Sequence, residues 1–244
     1  MCLCILVHQQ LENYPLIIAA NREEEYARPS HPPAWLSGGT FAGSDQSQGG
    51  TWQGVNQHGL VVALTNRSTS LQDPKRRSRG LLCLYALSAA SAQQSADWIS
   101  QHLSHQAYNP CNLLLADVEQ AFAVHYDGDR AKIHILSPGL HLLSDTDVDD
   151  SLHPRIQRSR KLLEDTRHPW PALRITLGKI MADHDTPHNP TAPICIHGAK
   201  AGTRSSSLIA LRDRSLNKAQ FYFADGPPCT TPYLDLSTQF SRQT

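Results

Sequence analysis

The sequence predicts an α+β protein in which antiparallel sheets are covered by helices. Strand-like apolar runs occur in consecutive groups, and helical patterns separate these groups instead of alternating with single strands. The chain has 244 residues, of which 40% are hydrophobic and 18% are charged. That length and composition are enough for one sizeable core, so we expect a single domain over residues 1–244.

The first half of the chain is predicted to form five strands and then a helical stretch. The strands are CLCILVH, YPLIIAANR, TFAG, TWQGVN and GLVVALTN, and the turns between them are rich in glycine. The next segment, RGLLCLYALSAASAQQSADWISQHLS, changes to helical spacing, and we expect a second helix to begin after Ser95. The predicted buried stripe contains Leu82, Tyr85, Ala86, Ala89 and Ala90.

The second half of the chain is predicted to form four short strands, two helices and three final strands. The short strands are NLLLAD, AFAVHYDG, AKIHILSPG and LHLLSD, with a hairpin turn at an Asp-Gly pair. The helices are HPRIQRSRKLLEDT and WPALRITLGKIMADH, and Pro171 suits the first turn of the second. A loop near Pro187–Pro193 precedes the final strands PICIHG, TRSSSLIALRD and AQFYFADG.

Charge and apolar patterning argue against nucleic acid or a membrane as a general partner. Lys+Arg and Asp+Glu both number 22, so the formal net charge is zero. No apolar run approaches the length of a membrane span, and the N-terminal CLCILV lacks the preceding basic residues of a secretory signal. We therefore expect a cytoplasmic protein without stable membrane insertion.

The six cysteines and thirteen histidines show no local spacing typical of a metal site. There is no HExxH motif and no combination of CxxC with HxxxH. A chain of this length does not need a disulfide framework, and a reducing compartment would keep the thiols free. We expect neither a metal site nor a bound cofactor.

A cysteine directly follows the initiator methionine in the opening MCLC. One interpretation is structural, because Cys2 and Cys4 would share one face of a buried strand as small apolar side chains. The other is chemical, because removal of Met1 would leave Cys2 as an N-terminal nucleophile beside its own α-amine. The amine, with a pKa of about 7.7–8.0, is a suitable base for a thiol at about 8.5.

Three polar groups at the ends of apolar strands are candidates for the same site. Arg22 lies in NREE, and antiparallel pairing of the first two strands would bring it close to Cys2, where a cation lowers a thiol pKa. Asn66 ends GLVVALTN and can donate to an oxyanion, and Arg204 lies in the polar segment GTRSSS. An ordinary turn or a solvated charged loop is the alternative for each group.

Six segments, in order, cover most of the chain: MCLC, AANREEEYARP, FAGSDQSQGGTWQGVNQHGLVVALTN, RSRGLL, NLLLAD and CIHGAKAGTRSSS. Together they resemble the NRDE family, the group that includes the relatives of transport and Golgi organisation protein two. The family is named for Asn-Arg-Asp-Glu, and this chain has Glu23 at the third position. That departure keeps the negative charge and lengthens the side chain.

The resemblance implies a four-layer αββα sandwich of the N-terminal-nucleophile hydrolase type, similar to bile acid and penicillin V acylases and ceramidase-like amidases. Cys2 would be the nucleophile and Asn66 would form the oxyanion hole. The catalytic residues implied by the resemblance are Cys2, Arg22, Glu24, Asn66 and Arg204. The expected substrate-binding residues are Asn21, Glu23, Trp52, Asp145 and Ser205.

Asp145 marks a second departure from the family pattern. The family tends to have Ser-Asn where this chain has Ser144-Asp145. An ionised carboxylate only accepts hydrogen bonds, so it cannot donate to an oxyanion as an asparagine can.

The resemblance implies two alternative functions. The first is hydrolysis of a non-peptide amide or acyl conjugate by Cys2 after removal of Met1. The second is a non-catalytic carrier for haem or for acyl-CoA and related lipids, because relatives are discussed in connection with these ligands and with secretory-organelle organisation. In the carrier hypothesis, Lys75, Arg76 and Arg77 would meet the phosphates of CoA or the propionates of haem. The expected partner is therefore a small-molecule amide, acyl-CoA or haem.

Overall fold

A computed structural model describes residues 2–69, 71–163, 167–184 and 192–240. Met1, the residue whose removal would expose the Cys2 amine, lies outside the described residues, as do residues 187–191 of the expected proline-rich loop. The described part contains four helices: α1 (Arg79–Ala86), α2 (Ala92–Leu103), α3 (Pro154–Leu162) and α4 (Trp170–Met181). Its strands are, in chain order, β1 (Leu3–His8), β2 (Leu16–Glu25), β3 (Ser30–Leu36), β4 (Thr40–Asp45), β5 (Gln53–Asn56), β6 (Val61–Asn66), β7 (Cys111–Ala116), β8 (Ala121–Tyr126), β9 (Ala131–Leu136), β10 (Gly139–Leu143), β11 (Ala201–Leu211), β12 (Gln220–Ala224) and β13 (Leu234–Asp235).

The strands form two antiparallel sheets. The first has the spatial order β10-β1-β2-β11-β12-β13, so strands from both ends of the chain meet at its centre. The second is a meander from β3 to β9 in which every strand pairs with its neighbour in sequence. Such neighbouring pairs need only short connections, whereas the pairing of β2 with β11 brings together segments that are far apart in the chain.

Three apolar clusters define a four-layer arrangement. One cluster lies between the two sheets and contains Phe41, Phe221 and Phe240. A second packs α1 and α2 on the outer face of the meander, and a third packs α3 and α4 on the outer face of the first sheet. The expected αββα sandwich of antiparallel sheets is therefore confirmed.

Two sequence expectations about strands are wrong for identifiable reasons. SHPPAWL forms β3, which the sequence did not predict because its two prolines are typical of loops; the strand lies at a sheet edge, where proline is tolerated. The segment PICIHG is not a strand and contains only an isolated bridge between His197 and Gly202.

The helical stretch after Ser78 also differs from its prediction. The second helix begins at Ala92, before Ser95, because the side chain of Ser91 accepts a hydrogen bond from the Gln94 backbone and caps the helix. Leu82 and Ala86 are buried as predicted, whereas Ala90 is exposed beyond the end of α1. Among the described residues, no helix has the length and apolar character needed to cross a membrane.

We expect Phe41→Ala to lower the free energy of unfolding by about 3–5 kcal/mol, the usual cost of removing a large buried aromatic side chain. Phe41 is 1% exposed, and its ring lies 5.2 Å from that of Phe221 and 4.9 Å from that of Phe240. Denaturant unfolding monitored by circular dichroism measures the change. Ile135→Ala, at a position that is 77% exposed in β9, is the control and should cost much less. Equal losses would contradict a core between the sheets.

Candidate functional site

The register between the first two strands positions Cys2 beside Arg22. Leu3 lies opposite Asn21 in the antiparallel pair, and Cys2 precedes Leu3 while Arg22 follows Asn21. The next pair in this register is therefore Cys2 with Arg22. Both residues line a cavity of about 340 Å³, which we call the Cys2 cavity.

The Cys2 cavity is lined mainly by polar and charged side chains. Trp52, Leu64 and Asn66 lie on its wall beside Cys2. The carboxylates on the wall are Glu23, Glu24, Asp45 and Asp73, and the guanidinium groups are those of Arg22, Arg28, Arg76, Arg77 and Arg79. A ligand of this cavity would therefore be expected to carry polar or charged groups.

Arg22 is held rigidly at the cavity wall. Its guanidinium carbon lies 4.2 Å from the centroid of the Trp52 ring, a cation–π contact. Its Nη1 donates to Ser30 Oγ at 3.3 Å, and its Nη2 lies 3.8 Å from a Glu24 oxygen. Gly43 leaves room for this arrangement, because a Cβ there would lie 2.4 Å from the Trp52 ring.

A second arginine neutralises the acidic side of the wall. Arg28 Nε donates to Asp45 Oδ2 at 2.6 Å and lies 3.5 Å from Glu24 Oε2. Burial acts against ionisation of Asp45, but the Arg28 hydrogen bond and the amides of Gln48 and Ser47 hold the Asp45 pKa below its ordinary value. Glu24 and Asp45 thus form a fixed acidic bracket around the two guanidinium groups.

Glu23 connects the cavity to the helical layer. Its Oε1 accepts from Arg155 Nη2 of α3 at 3.2 Å and from Thr203 Oγ1 of β11 at 3.3 Å. Both charged side chains are buried. Burial raises the pKa of Glu23, while the Arg155 guanidinium favours its ionised form. Removing one member of such a buried pair is much more damaging than breaking an exposed pair.

The pKa of the Cys2 thiol is raised. Burial is the largest cause, and the Glu23 carboxylate adds to it, while the Arg22 guanidinium acts in the opposite direction. Arg22 lowers this pKa as expected, but burial and Glu23 outweigh its effect. A reaction at neutral pH would need a base to remove the thiol proton as the bond to the substrate forms.

Asn66 lies at the end of β6 and lines the cavity with Cys2. Within the described part of the chain its side-chain amide makes no hydrogen bond, so its N–H groups are available to a ligand. Ser144 approaches Cys2 from β10's end, where its Oγ donates to the Cys2 carbonyl oxygen at 3.3 Å. Buried Asn112 fixes that segment by donating to the carbonyl oxygens of Ser144 and Thr146 at 3.0 and 2.9 Å.

Four of the predicted site residues do not line the Cys2 cavity. Asn21 donates to the carbonyl oxygens of Met181 and Ile194, so it supports the helical side of β2. The Asp145 carboxylate lies 2.9 Å from His153 Nε2. Ser205 is buried opposite Arg22 in the register, and the Arg204 guanidinium donates to the Tyr26 carbonyl oxygen.

Arg76, Arg77 and Arg79, which we call the basic wall, also line the cavity. Arg76 Nη1 donates to the carbonyl oxygens of Tyr108 and Gly128, and Arg79 Nη1 donates to that of Pro110. Arg77 donates to Gln106 and Tyr85 side chains. Among the described residues, none of the three forms an ion pair with a carboxylate. These three guanidinium groups are therefore held by neutral hydrogen-bond partners and not by salt bridges.

Four residues around the site, Arg28, Asp45, Arg79 and Arg155, were not predicted from the sequence. Asp45 lies in a glycine-rich stretch, and Arg155 lies in a helical segment with several other basic residues, so the local sequence distinguishes neither. The proline at the first turn of α3 was the available signal, because it fixes where the helix begins and hence where Arg155 points. Close approach of three metal-ligating side chains occurs, within the described residues, only at Cys195, His197 and Cys229, outside this cavity.

Comparison with known families finds a match over most of the chain. The family described as Transport and Golgi organisation 2 matches residues 1–222. The Transport and Golgi organization 2 homologue of Mus musculus is 33% identical over 141 residues, covering 54% of this chain and 50% of the mouse protein. The Homo sapiens homologue gives the same identity and coverage. The matched region thus spans about half the length of these curated relatives.

Solved structures with the same fold include an acid amidase ortholog, a bile acid hydrolase and a penicillin acylase. A Caenorhabditis elegans N-acylethanolamine-hydrolyzing acid amidase ortholog covers 100% of this chain and 98% of its own, with a TM-score of 0.59 and 12% identity. A mutant conjugated bile acid hydrolase from Clostridium perfringens covers 98% and 93%, with a TM-score of 0.63 and 9% identity. Penicillin V acylase from Agrobacterium tumefaciens covers 100% and 89%, with a TM-score of 0.61 and 14% identity. The fold is that of the N-terminal-nucleophile hydrolases.

We expect Glu23→Gln to move the alkylation of Cys2 to lower pH. The Glu23 carboxylate raises the thiol pKa, so removing its charge lowers that pKa and increases the thiolate fraction at a given pH. The rate of iodoacetamide labelling of the Cys2 peptide, followed by mass spectrometry across a pH series, measures the midpoint.

Glu23→Asp is the matched control, because it keeps the charge and restores the residue for which the NRDE family is named. Its midpoint should stay close to that of the unmodified chain. A Glu23→Gln profile at unchanged or higher pH, in protein that unfolds at a similar temperature, would contradict the assigned influence of Glu23.

Proposed function

The chain belongs to the Transport and Golgi organisation 2 family, and from that premise we propose that it is a hydrolase that cleaves a non-peptide amide or acyl conjugate through Cys2. The observation that carries the proposal is the meeting of Cys2, Arg22 and Asn66 in one cavity. The fold shared with amidases and acylases supports the same chemistry. The nucleophile, a charged positioning group and an oxyanion donor are then all present.

The proposed reaction begins with removal of Met1, which frees the α-amine of Cys2. The amine accepts the thiol proton as Sγ attacks the substrate carbonyl, and the oxyanion that forms accepts hydrogen bonds from Asn66 and backbone N–H groups. The carbon–nitrogen or carbon–sulfur bond then breaks, and the leaving group takes a proton from the α-ammonium. Water, deprotonated by the amine, hydrolyses the thioester and regenerates the thiol.

Arg22 has a positioning and electrostatic role in this proposal. Burial lowers its pKa, but Glu24 and the other nearby anionic groups favour the charged guanidinium, which remains protonated at neutral pH. Held between Trp52 and the carboxylates, the charge stabilises negative charge that develops at Cys2 during attack. The substrates suggested by the fold neighbours are N-acylethanolamines, conjugated bile acids and penicillin V.

A second candidate function is supported by the basic wall. Arg76, Arg77 and Arg79 present positive charge without carboxylate partners among the described residues, which suits a ligand with phosphate or carboxylate groups. A carrier of acyl-CoA or haem would use this wall and would not need Cys2. Of the basic residues predicted from the sequence for that role, Arg76 and Arg77 line the cavity and Lys75 does not.

We expect Cys2→Ala to abolish hydrolysis, because the thiolate that forms the acyl-enzyme is lost. Untagged protein whose intact mass shows loss of Met1 would be assayed by mass spectrometry against N-acylethanolamines, conjugated bile acids and penicillin V. The control is a matched chain that retains one residue before Cys2. It keeps the Cys2 thiol, but the α-nitrogen of Cys2 is then a peptide amide and cannot act as the base, so this chain should be inactive too. Full activity in either protein would contradict the mechanism, and no turnover by the processed chain would favour the carrier.

We expect Arg77→Ala and Arg79→Ala each to weaken binding of a CoA thioester by about tenfold or more, the usual value of a hydrogen bond to a charged group. Calorimetric titration in the Cys2→Ala background separates binding from turnover. Arg130→Ala is the control, because Arg130 is exposed on the β8–β9 turn outside the cavity. Unchanged affinity in both wall variants would exclude the basic wall as the anion site.

A further inference from the structure

The side chains of Cys195, His197 and Cys229 bring three possible metal-ligating atoms together outside the Cys2 cavity. Cys195 Sγ lies 3.7 Å from Cys229 Sγ and 3.6 Å from His197 Nε2, and His197 Nε2 lies 3.2 Å from Cys229 Sγ. None of the three residues lines the Cys2 cavity. Cys195 is buried, Cys229 is half-buried and His197 is exposed, so the cluster opens to solvent on one side.

The triangle formed by these atoms has the dimensions of a tetrahedral zinc site. Zinc binds sulfur at about 2.3 Å and imidazole nitrogen at about 2.0–2.1 Å, which places tetrahedral ligands about 3.8 Å apart for two sulfurs and about 3.5 Å apart for sulfur and nitrogen. The sulfur–sulfur distance of 3.7 Å and the sulfur–nitrogen distances of 3.6 and 3.2 Å are close to these values. Two thiolates and an imidazole also form a ligand set that favours zinc.

The local backbone holds the three side chains in this arrangement. Cys195 and His197 are two residues apart in the segment that precedes β11, and their ligating atoms lie 3.6 Å apart. The segment is fixed by a bridge between His197 and Gly202 and by Thr203, whose Oγ1 accepts from the Ile196 amide at 2.9 Å. Cys229 lies in a turn after β12, in which the amides of Thr230 and Thr231 donate to the Pro227 carbonyl oxygen.

We propose that Cys195, His197 and Cys229 bind a zinc ion, with water at the fourth, solvent-facing position. Binding forms two zinc–sulfur bonds and one zinc–nitrogen bond and releases the two thiol protons. The charge of the cation is balanced by the two thiolates, and no electron is transferred. The exposed imidazole carries its remaining proton on the ring nitrogen that does not bind the metal.

The ion would act as a cross-link. It joins the turn after β12 to the segment that contains Cys195, and the backbone amide of Cys195 donates to the Asp183 carbonyl oxygen at the end of α4 at 2.7 Å. The neighbouring Ile194 carbonyl oxygen accepts from Asn21 at 3.0 Å and from Arg155 at 3.0 Å. Zinc would therefore stabilise the segment that supports Asn21 and the partner of Glu23, without touching the substrate. This proposal is independent of whether Cys2 is catalytic.

The test is a titration of the 244-residue chain, stripped of metal and kept reduced, with Co²⁺ as the spectroscopic probe. The Cys2→Ser background removes the thiol of the Cys2 cavity as a competing ligand. We expect one equivalent of Co²⁺ to produce sulfur-to-cobalt charge-transfer absorption and the intense visible bands of tetrahedral cobalt, and Zn²⁺ to bleach both. Zn²⁺ should also raise the unfolding temperature, because it binds the folded state.

Cys229→Ser and His197→Ala each remove one ligand. We expect each to weaken Co²⁺ and Zn²⁺ binding by about a hundredfold or more, since loss of an outer partner of a ligand alone costs up to that factor. His197 is exposed, so its variant should fold even if the cysteine variant does not. His58→Ala, at an exposed histidine remote in sequence from the cluster, is the matched control and should bind as tightly as its parent.

Three outcomes would overturn the proposal. The first is the absence of sulfur-to-cobalt absorption at one equivalent of Co²⁺. The second is unchanged affinity in Cys229→Ser or His197→Ala. The third is thiol counting that finds Cys195 and Cys229 joined by a disulfide in protein kept under reducing conditions, because a disulfide leaves no thiolates for zinc.

Discussion

The register between β1 and β2 is the constraint on which the rest of the site depends. Strand residues alternate between the two faces of a sheet, so a shift of one residue would exchange the environments of Arg22 and Glu23. In the observed register Arg22 follows the residue opposite Leu3 and lies against Trp52, while Asn21 reaches the carbonyl oxygens on the helical side. The register is strongly fixed because β1 is buried along its whole length and β2 is buried up to Glu23. The apolar cluster between the sheets and the cluster under α3 and α4 thus fix which way the polar side chains of residues 21–24 point at the end of β2.

The charges around Cys2 have opposite effects on the pKa of its thiol, and their balance determines how reactive the thiol is. Burial and Glu23 keep the thiol protonated, while Arg22 favours the thiolate. A thiol held in this way is protected from adventitious alkylation and oxidation, because the thiolate is the reactive form. Its activation then depends on a base that acts only when a substrate carbonyl is in place. The same cavity is also lined by Arg77 and Arg79, which make no salt bridge among the described residues, so a bound anionic group would have cationic partners there.

Much of the fold could be predicted from the sequence, because apolar periodicity and turn residues are local signals of strands and helices. The groups of apolar runs predicted antiparallel sheets covered by helices, and the resemblance to the NRDE family implied the two-sheet sandwich. Pro171 lies in the first turn of α4 as expected. The strand formed by SHPPAWL could not be predicted, because its pairing with β4 overrides the loop preference of Pro32 and Pro33. The adjacency of Cys2 and Arg22 followed from a hairpin of neighbouring strands, whereas the contact of Glu23 with Arg155 joins residues 132 positions apart. Likewise, the pairing of β11 with β12 brings Cys195 close to Cys229. The two cysteines are too far apart in the sequence for a short motif to predict this contact.

The edge strand β3 has a consequence for how the molecule meets its neighbours. Successive amide N–H groups of a strand point to opposite sides in the plane of the sheet. Proline has no N–H, so Pro32 and Pro33 remove two donors from β3, where its register with β4 is irregular between His31 and Ala34. The lost donors interrupt the hydrogen-bonding row of this edge strand, so an extended chain that approaches the edge finds no continuous ladder to join.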